Sequence, residues 1–158
     1  MKDNRFRSGV ADLLKFYKGS GKILDIGCGA DKCIPQAIGV DCDPRVKPDL
    51  CCDIEKGFPF KENEINYIMG LDVVEHMRYV DKFFDELYRI LEPGGVVAFM
   101  IPDSRYVPLT EKFNLNPDHK HWWKPADFIG EVNLEKWRIK QFDTVRNFWW
   151  FDIILQKP

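Results

Sequence analysis

Lys22-Ile23-Leu24-Asp25-Ile26-Gly27-Cys28-Gly29 is a short β-branched run closing on two glycines, and it reads as a buried strand that feeds a tight turn. Nine residues, Ala30 to Ile38, separate Gly29 from Gly39, and the run Ala37 to Asp41 ends on an acid. A glycine turn after one strand lets the backbone approach a ligand, and a carboxylate at the end of the next can hold a ribose diol with both oxygens. Upstream, Ser8 to Gly19 reads as a helix with Ser8 as N-cap and Val10, Leu13, Leu14 and Tyr17 at helical spacing. Downstream, Leu50 to Ile54 and Ile65 to Met69 read as a third and a fourth strand. Val80, Phe83, Phe84, Leu87 and Leu91 then follow helical spacing, Glu92-Pro93-Gly94-Gly95 stops that helix, and Val96 to Ile101 is the clearest buried strand of the chain.

Strands alternating with helices predict a parallel sheet covered on both faces. The ending breaks that rhythm. Trp137 to Val145 and Phe148 to Leu155 read as strands separated only by Arg146-Asn147, which is too short for a parallel crossover, so they are expected to pair as an antiparallel hairpin. The expected fold is α/β, a Rossmann-like seven-stranded, mostly parallel sheet with a C-terminal antiparallel hairpin, in one domain over residues 1–158. An ordinary crossover needs about a dozen residues, so the segment after Gly29, which also contains Pro35, predicts a first crossover helix reduced to a turn or lost.

Composition narrows the function. No apolar run approaches the roughly 20 residues that span a bilayer, and the charged N-terminus is not followed by a signal-like apolar core, so no membrane role or export is expected. The formal net charge of -2 provides no overall field for a nucleic-acid backbone. Five cysteines, Cys28, Cys33, Cys42, Cys51 and Cys52, lack C-x-x-C spacing and fit reduced structural thiols in a cytoplasmic setting better than a disulfide framework or a zinc site. No metal-ligating set is expected.

With five motifs recurring in order from about Lys22 to the C-terminus, the chain resembles the class I S-adenosylmethionine-dependent methyltransferases. Ile23 to Gly29 is similar to that family's first motif, and Gly39-Val40-Asp41-Cys42-Asp43-Pro44 to its ribose-binding segment. Cys52-Asp53-Ile54 resembles the adenine-binding stretch, Asp72 to Met77 the segment after the fourth strand, and Leu91 to Gly95 the turn into the fifth. The resemblance implies S-adenosylmethionine as cofactor and methyl transfer as activity. It implies Gly27, Cys28 and Gly29 beside the methionine portion, Asp41 on the ribose and Asp53 on the adenine amino group. It also implies the backbone of Ile54 on an adenine ring nitrogen, Cys42 and Ile54 against the adenine faces, and Gly70 and Leu71 beneath the sulfonium. Asp25 is expected either to order the glycine turn through backbone N–H groups or to touch the ligand. Asp31 stands where a third glycine is often found, which sets a carboxylate near the methionine end.

The segment Asn116 to Phe128 follows the fifth strand on the side where acceptors enter this fold, and His119, with His121 second, is the candidate for acceptor positioning or general base work. The competing reading has these histidines bond backbone carbonyls while Trp122 and Trp123 cover the sheet. Glu75 and His76 are expected to serve packing and capping. The acceptor is expected to be a small molecule or a protein, ahead of nucleic acid. A nicotinamide oxidoreductase fits poorly, since Gly29-Ala30-Asp31-Lys32 lacks the last glycine of that fingerprint. The stronger alternative is a non-catalytic S-adenosylmethionine-binding or regulatory domain with the same fold.

Overall fold

The computed structural model describes residues 4–106, 117–142 and 149–158. Seven strands form one sheet: β1 (Ile23–Ile26), β2 (Ile38–Asp41), β3 (Leu50–Cys51), β4 (Ile65–Leu71), β5 (Leu91–Pro102), β6 (Arg138–Phe142) and β7 (Trp150–Gln156). Their order is β3-β2-β1-β4-β5-β7-β6. β7 runs antiparallel to both of its neighbours, and the remaining pairings are parallel. The mostly parallel sheet and the reversed strand are thus as expected. The β6–β7 ladder starts at Phe142 opposite Ile153, and the expected tight turn at Arg146-Asn147 lies outside the described residues.

Alternation of side chains sorts the sheet's apolar residues between two cores. On one face Tyr67, Met69, Ala98, Met100 and Ile154 meet Val10 and Leu13 of α1 (Asn4–Leu13) together with Ile34 and Ala37 of the first crossover. Tyr67 donates its hydroxyl to the Leu13 carbonyl at 2.8 Å, which satisfies a buried polar group and fastens the helix to the sheet. On the other face Leu24, Ile26, Ile68, Val97, Phe99 and Ile153 meet Phe83, Phe84 and Leu87 of α2 (Val80–Ile90) and Phe128 of α3 (Pro125–Phe128). The apolar positions of α2 are all buried, and Asp81 in its first turn and Arg89 in its last suit the helix dipole. Among the described residues no helix is long and apolar enough to cross a membrane.

Three local expectations need correction. The first helix begins at Asn4, so Ser8 lies within it rather than capping it, and it tightens into a 3-10 turn over Leu14–Phe16 instead of continuing to Gly19. β3 is only two residues long, and a 3-10 turn, Ile54–Lys56, follows it. Glu92 to Gly95 is a bulge inside β5: Ile65 pairs with Leu91 while Tyr67 already pairs with Val96, and Gly94 takes a φ of 81° that suits glycine. The short first crossover contains no helix at all, as its length required. Its turns are ordered by Asp25, whose buried carboxylate accepts the N–H groups of Cys33 at 2.5 Å and Ile34 at 3.4 Å.

Candidate functional site

The carboxyl ends of β1, β2, β3 and β4 open into a cleft of about 450 Å³ lined by Gly27, Asp41, Cys42, Cys52, Asp53 and Ile54 on one side. Asp72, Val73, His76, Met77, Asp118 and Lys120 line the other. Ligand sites of open α/β sheets lie where these strand ends meet, and the volume falls in the range of about 300–1,000 Å³ typical of small-molecule sites. The cleft is acidic, with Asp41, Asp53, Glu55, Asp72 and Asp118 against the single ammonium group of Lys120. Such a lining favours a cationic ligand.

Gly27 follows β1 directly with a φ of 63°, and a Cβ there would lie 2.5 Å from Val73 Cγ2, so both backbone and space demand glycine. Gly29, with a φ of 58°, donates its N–H to Asp41 Oδ2 at 2.9 Å, and Asp43 N–H reaches Asp41 Oδ1 at 2.9 Å. Asp41 therefore joins the glycine turn to the end of β2. Each carboxylate oxygen keeps a further lone pair for a ligand hydroxyl. Asp53 caps its 3-10 turn through Glu55 N–H and pairs with Lys56, which together hold its carboxyl below the ordinary range.

Of the sequence-predicted cofactor residues, Gly27, Asp41, Cys42, Asp53 and Ile54 meet in this cleft. Asp25 lies beneath it and orders the first crossover. The Cys28 thiol is buried, approaches the Gly29 carbonyl at 3.4 Å, and is pushed up to about 11 by desolvation and the nearby carboxylates. Gly70 and Leu71 are the last two residues of β4 and are not among the residues that line the cleft. A Cβ at Gly70 would press on Phe99 at 2.8 Å and Ile26 at 3.0 Å, while Leu71 packs in the core beneath α1.

The expected acceptor histidines stand just beyond the opposite end. His121 Nε2 is 2.8 Å from the Met77 carbonyl, and the ring stacks on Trp123 at 4.6 Å, which makes it a structural clamp. The side chain of His119 is only 8% exposed and faces Glu75 and His76. Desolvation and the neighbouring His76 lower its pKa. Glu75 is buried in the 3-10 turn Val74–His76, and desolvation together with the charge of Asp72 raises its pKa well above the carboxylate range.

Sequence reasoning passed over Asp72. It follows β4 directly, holds a φ of 54°, and accepts the Trp150 indole N–H at 2.6 Å. A left-handed non-glycine residue on a cleft wall is strained, and such strain concentrates at functional sites. Its position one residue past a buried strand was the available signal.

The sequence matches the methyltransferase domain family over residues 2–149. It is 29% identical to phosphoethanolamine N-methyltransferase 2 of Caenorhabditis elegans over 71 residues, which cover 45% of this chain and 16% of that protein. Among solved structures it resembles an S-adenosylmethionine-dependent methyltransferase from Archaeoglobus fulgidus, with a TM-score of 0.75, 18% identity, and coverage of 96% of this chain and 92% of that one. It also resembles the N-methyltransferase 2 of Haemonchus contortus in complex with phosphomonomethylethanolamine and S-adenosylhomocysteine. There the TM-score is 0.74 and the identity 18%, with 97% of this chain and 53% of that one covered. The chain belongs to the methyltransferase domain family and has the class I fold of the S-adenosylmethionine-dependent enzymes.

Proposed function

We propose that this domain binds S-adenosylmethionine across the ends of β1 to β4 and methylates a small-molecule acceptor entering between Asp72, His76 and Lys120. The observation that carries the reading is Asp41, fixed at the end of β2 by two backbone N–H groups with lone pairs to spare. The residues fit the cofactor: a carboxylate for the ribose, the half-buried Ile54 and the thiol of Cys42 for an adenine ring, and an acidic lining for a sulfonium. When bound, S-adenosylmethionine supplies an electrophilic methyl group, whose carbon takes the acceptor's lone pair as the carbon–sulfur bond breaks and its electrons pass to sulfur.

Gly27 and Gly29 bring the backbone close to the methionine end, and Asp41 and Ile54 orient the nucleoside. The wall formed by His76, Asp118 and Lys120 aligns the acceptor and excludes water, which is where most of the barrier reduction in such a displacement resides. His119, behind that wall, is a positioning residue rather than one that touches the acceptor. The small-molecule reading draws support from the phosphoethanolamine methyltransferase relative. A reducing, cytoplasmic setting belongs to the same reading, since it keeps Cys42 and Cys52 as thiols in the cleft.

The test is transfer of labelled methyl from S-adenosylmethionine to a panel of small amines, hydroxyl compounds and carboxylates, beside a panel of proteins. Turnover on a small molecule supports the proposal. His119→Ala should then lower kcat/KM by a factor of about 10², the scale of a misplaced reacting group, while the cofactor Kd stays unchanged, a split that a folding defect does not produce. Cofactor binding without turnover on any panel member favours a non-catalytic binding domain.

A further inference from the structure

Behind the acceptor wall lies a cluster that the methyl-transfer reading leaves unexplained. Glu75 is 1% exposed, and neither carboxylate oxygen has a hydrogen-bond partner on any other described residue. His119 Nε2 lies 3.7 Å and His76 Nε2 3.9 Å from Glu75 Oε1, both too long for hydrogen bonds. His76 Nδ1 sits 3.2 Å from the Asp118 carbonyl oxygen. A carbonyl only accepts, so Nδ1 carries the hydrogen of this bond, and in the neutral imidazole the lone pair then belongs to Nε2, the nitrogen nearer Glu75. The rings of His76 and His119 meet edge to face at 4.8 Å.

The backbone holds these groups together. Glu75 O accepts the N–H groups of Lys120 at 2.9 Å and His121 at 3.2 Å, and His121 clamps Met77 from the same segment. One ligand atom from each of Glu75, His76 and His119 lies within 4.8 Å of the others. Burial without a partner disfavours the ionised form of Glu75, and a cation between the three groups would offset that penalty.

We propose that Glu75, His76 and His119 bind a divalent first-row transition-metal ion, with an open coordination position at the acceptor end of the cleft. Two imidazoles and one carboxylate suit Zn²⁺ or Co²⁺ better than Mg²⁺, which prefers an all-oxygen shell. Metal–ligand bonds of about 2.0–2.2 Å require the three groups to draw together by less than an ångström each. The Asp118 carbonyl behind His76 is the outer partner that fixes a metal-binding tautomer. Three protein ligands leave a position for water or an acceptor oxygen, and His76 borders both the cluster and the cleft. The acceptor class this implies carries a hydroxyl, carboxylate or phosphate oxygen. That last step rests on the methyl-transfer reading, whereas the metal site does not.

The full chain, stripped with chelator, is dialysed against Zn²⁺ and analysed for metal, then loaded with Co²⁺ and examined for visible d–d absorption. A single bound equivalent of Zn²⁺ and Co²⁺ bands are expected. Glu75→Gln and His119→Gln should each weaken Zn²⁺ binding at least about 100-fold, the upper end of what losing even an outer partner costs. Glu75→Gln removes a buried carboxylate, so its metal-free melting temperature should match or exceed that of the parent, and His119→Gln gives a second reading should it not. Substoichiometric Zn²⁺ without Co²⁺ bands overturns the proposal. So does full binding in both variants, which would place the ion elsewhere, for instance among Cys42, Cys51 and Cys52. Titration of the same samples with S-adenosylmethionine separates the two readings: cofactor binding without metal binding defeats this inference alone.

Discussion

Replacing Asp41 by alanine removes a group with two separable duties. Its carboxylate accepts the N–H groups of Gly29 and Asp43, each at 2.9 Å, and offers its remaining lone pairs to a ligand. A charge-assisted pair of bonds to a ribose contributes roughly 1.5–3 kcal/mol, so the Kd for S-adenosylmethionine should rise about 10- to 150-fold. The sequence alone predicts that effect on binding, and the structure adds one on folding. Each half-buried backbone bond is worth about 1 kcal/mol after solvent screening, and their joint loss should lower the Tm by about 4–8 °C in a chain of this size. Asp41→Asn keeps one acceptor oxygen and should fall between parent and alanine variant in both quantities. Isothermal titration with S-adenosylmethionine and a thermal melt of the same samples read the two effects. A Kd within about twofold of the parent, with the Tm lowered, would show that Asp41 serves only the glycine turn and would refute its assignment to the ribose.

Three further outcomes follow from the geometry. Gly27→Ala adds a Cβ 2.5 Å from Val73 Cγ2 on a backbone with φ 63°, so thermal melts should show a loss of about 1–3 kcal/mol together with weakened cofactor binding; a neutral substitution would contradict the packing. His121→Ala removes the bond to Met77 O and the stack on Trp123 and should cost about 1–2 kcal/mol, leaving the cofactor Kd unchanged in titration. Glu86 is held below the ordinary carboxylate range by Arg89 and by Phe58 N–H. Its stabilisation is complete above the unfolded value of about 4.3 and is lost as pH falls through the lower folded value, so the Tm gap between parent and Glu86→Gln should narrow on acidification; a pH-independent gap would argue against the ion pair.

The sheet was legible where local chemistry and tertiary demand coincide. β1, its glycine turn and the acid ending β2 follow from a buried apolar run closed by residues with few other uses, and α2 follows from a strict apolar spacing that the core then buries. The lost crossover helix followed from chain length alone. The start of the first helix did not: it begins at Asn4 and runs through Ser8, whereas the buried positions Val10 and Leu13 were readable from their spacing. Glu92-Pro93-Gly94-Gly95 has the composition of a turn, yet Gly94 N–H bonds Lys157 O and Lys157 N–H bonds Gly95 O, so long-range pairing with the chain end converts it to a bulge. At the site, Asp41 was readable from its place after a strand. The burial of Glu75 was not, since a Val-Val-Glu-His turn gives no sign that residues 118–121 will cover it.

The central claim, that the cleft at the ends of β1 to β4 holds S-adenosylmethionine, is tested most directly by calorimetric titration of the full chain with S-adenosylmethionine and S-adenosylhomocysteine, in parallel with Asp41→Ala. Saturable one-site binding of both ligands by the parent, weakened about 10-fold or more in the variant, is the predicted result. No detectable binding of either ligand by a correctly folded parent, or equal binding by parent and variant, would contradict it.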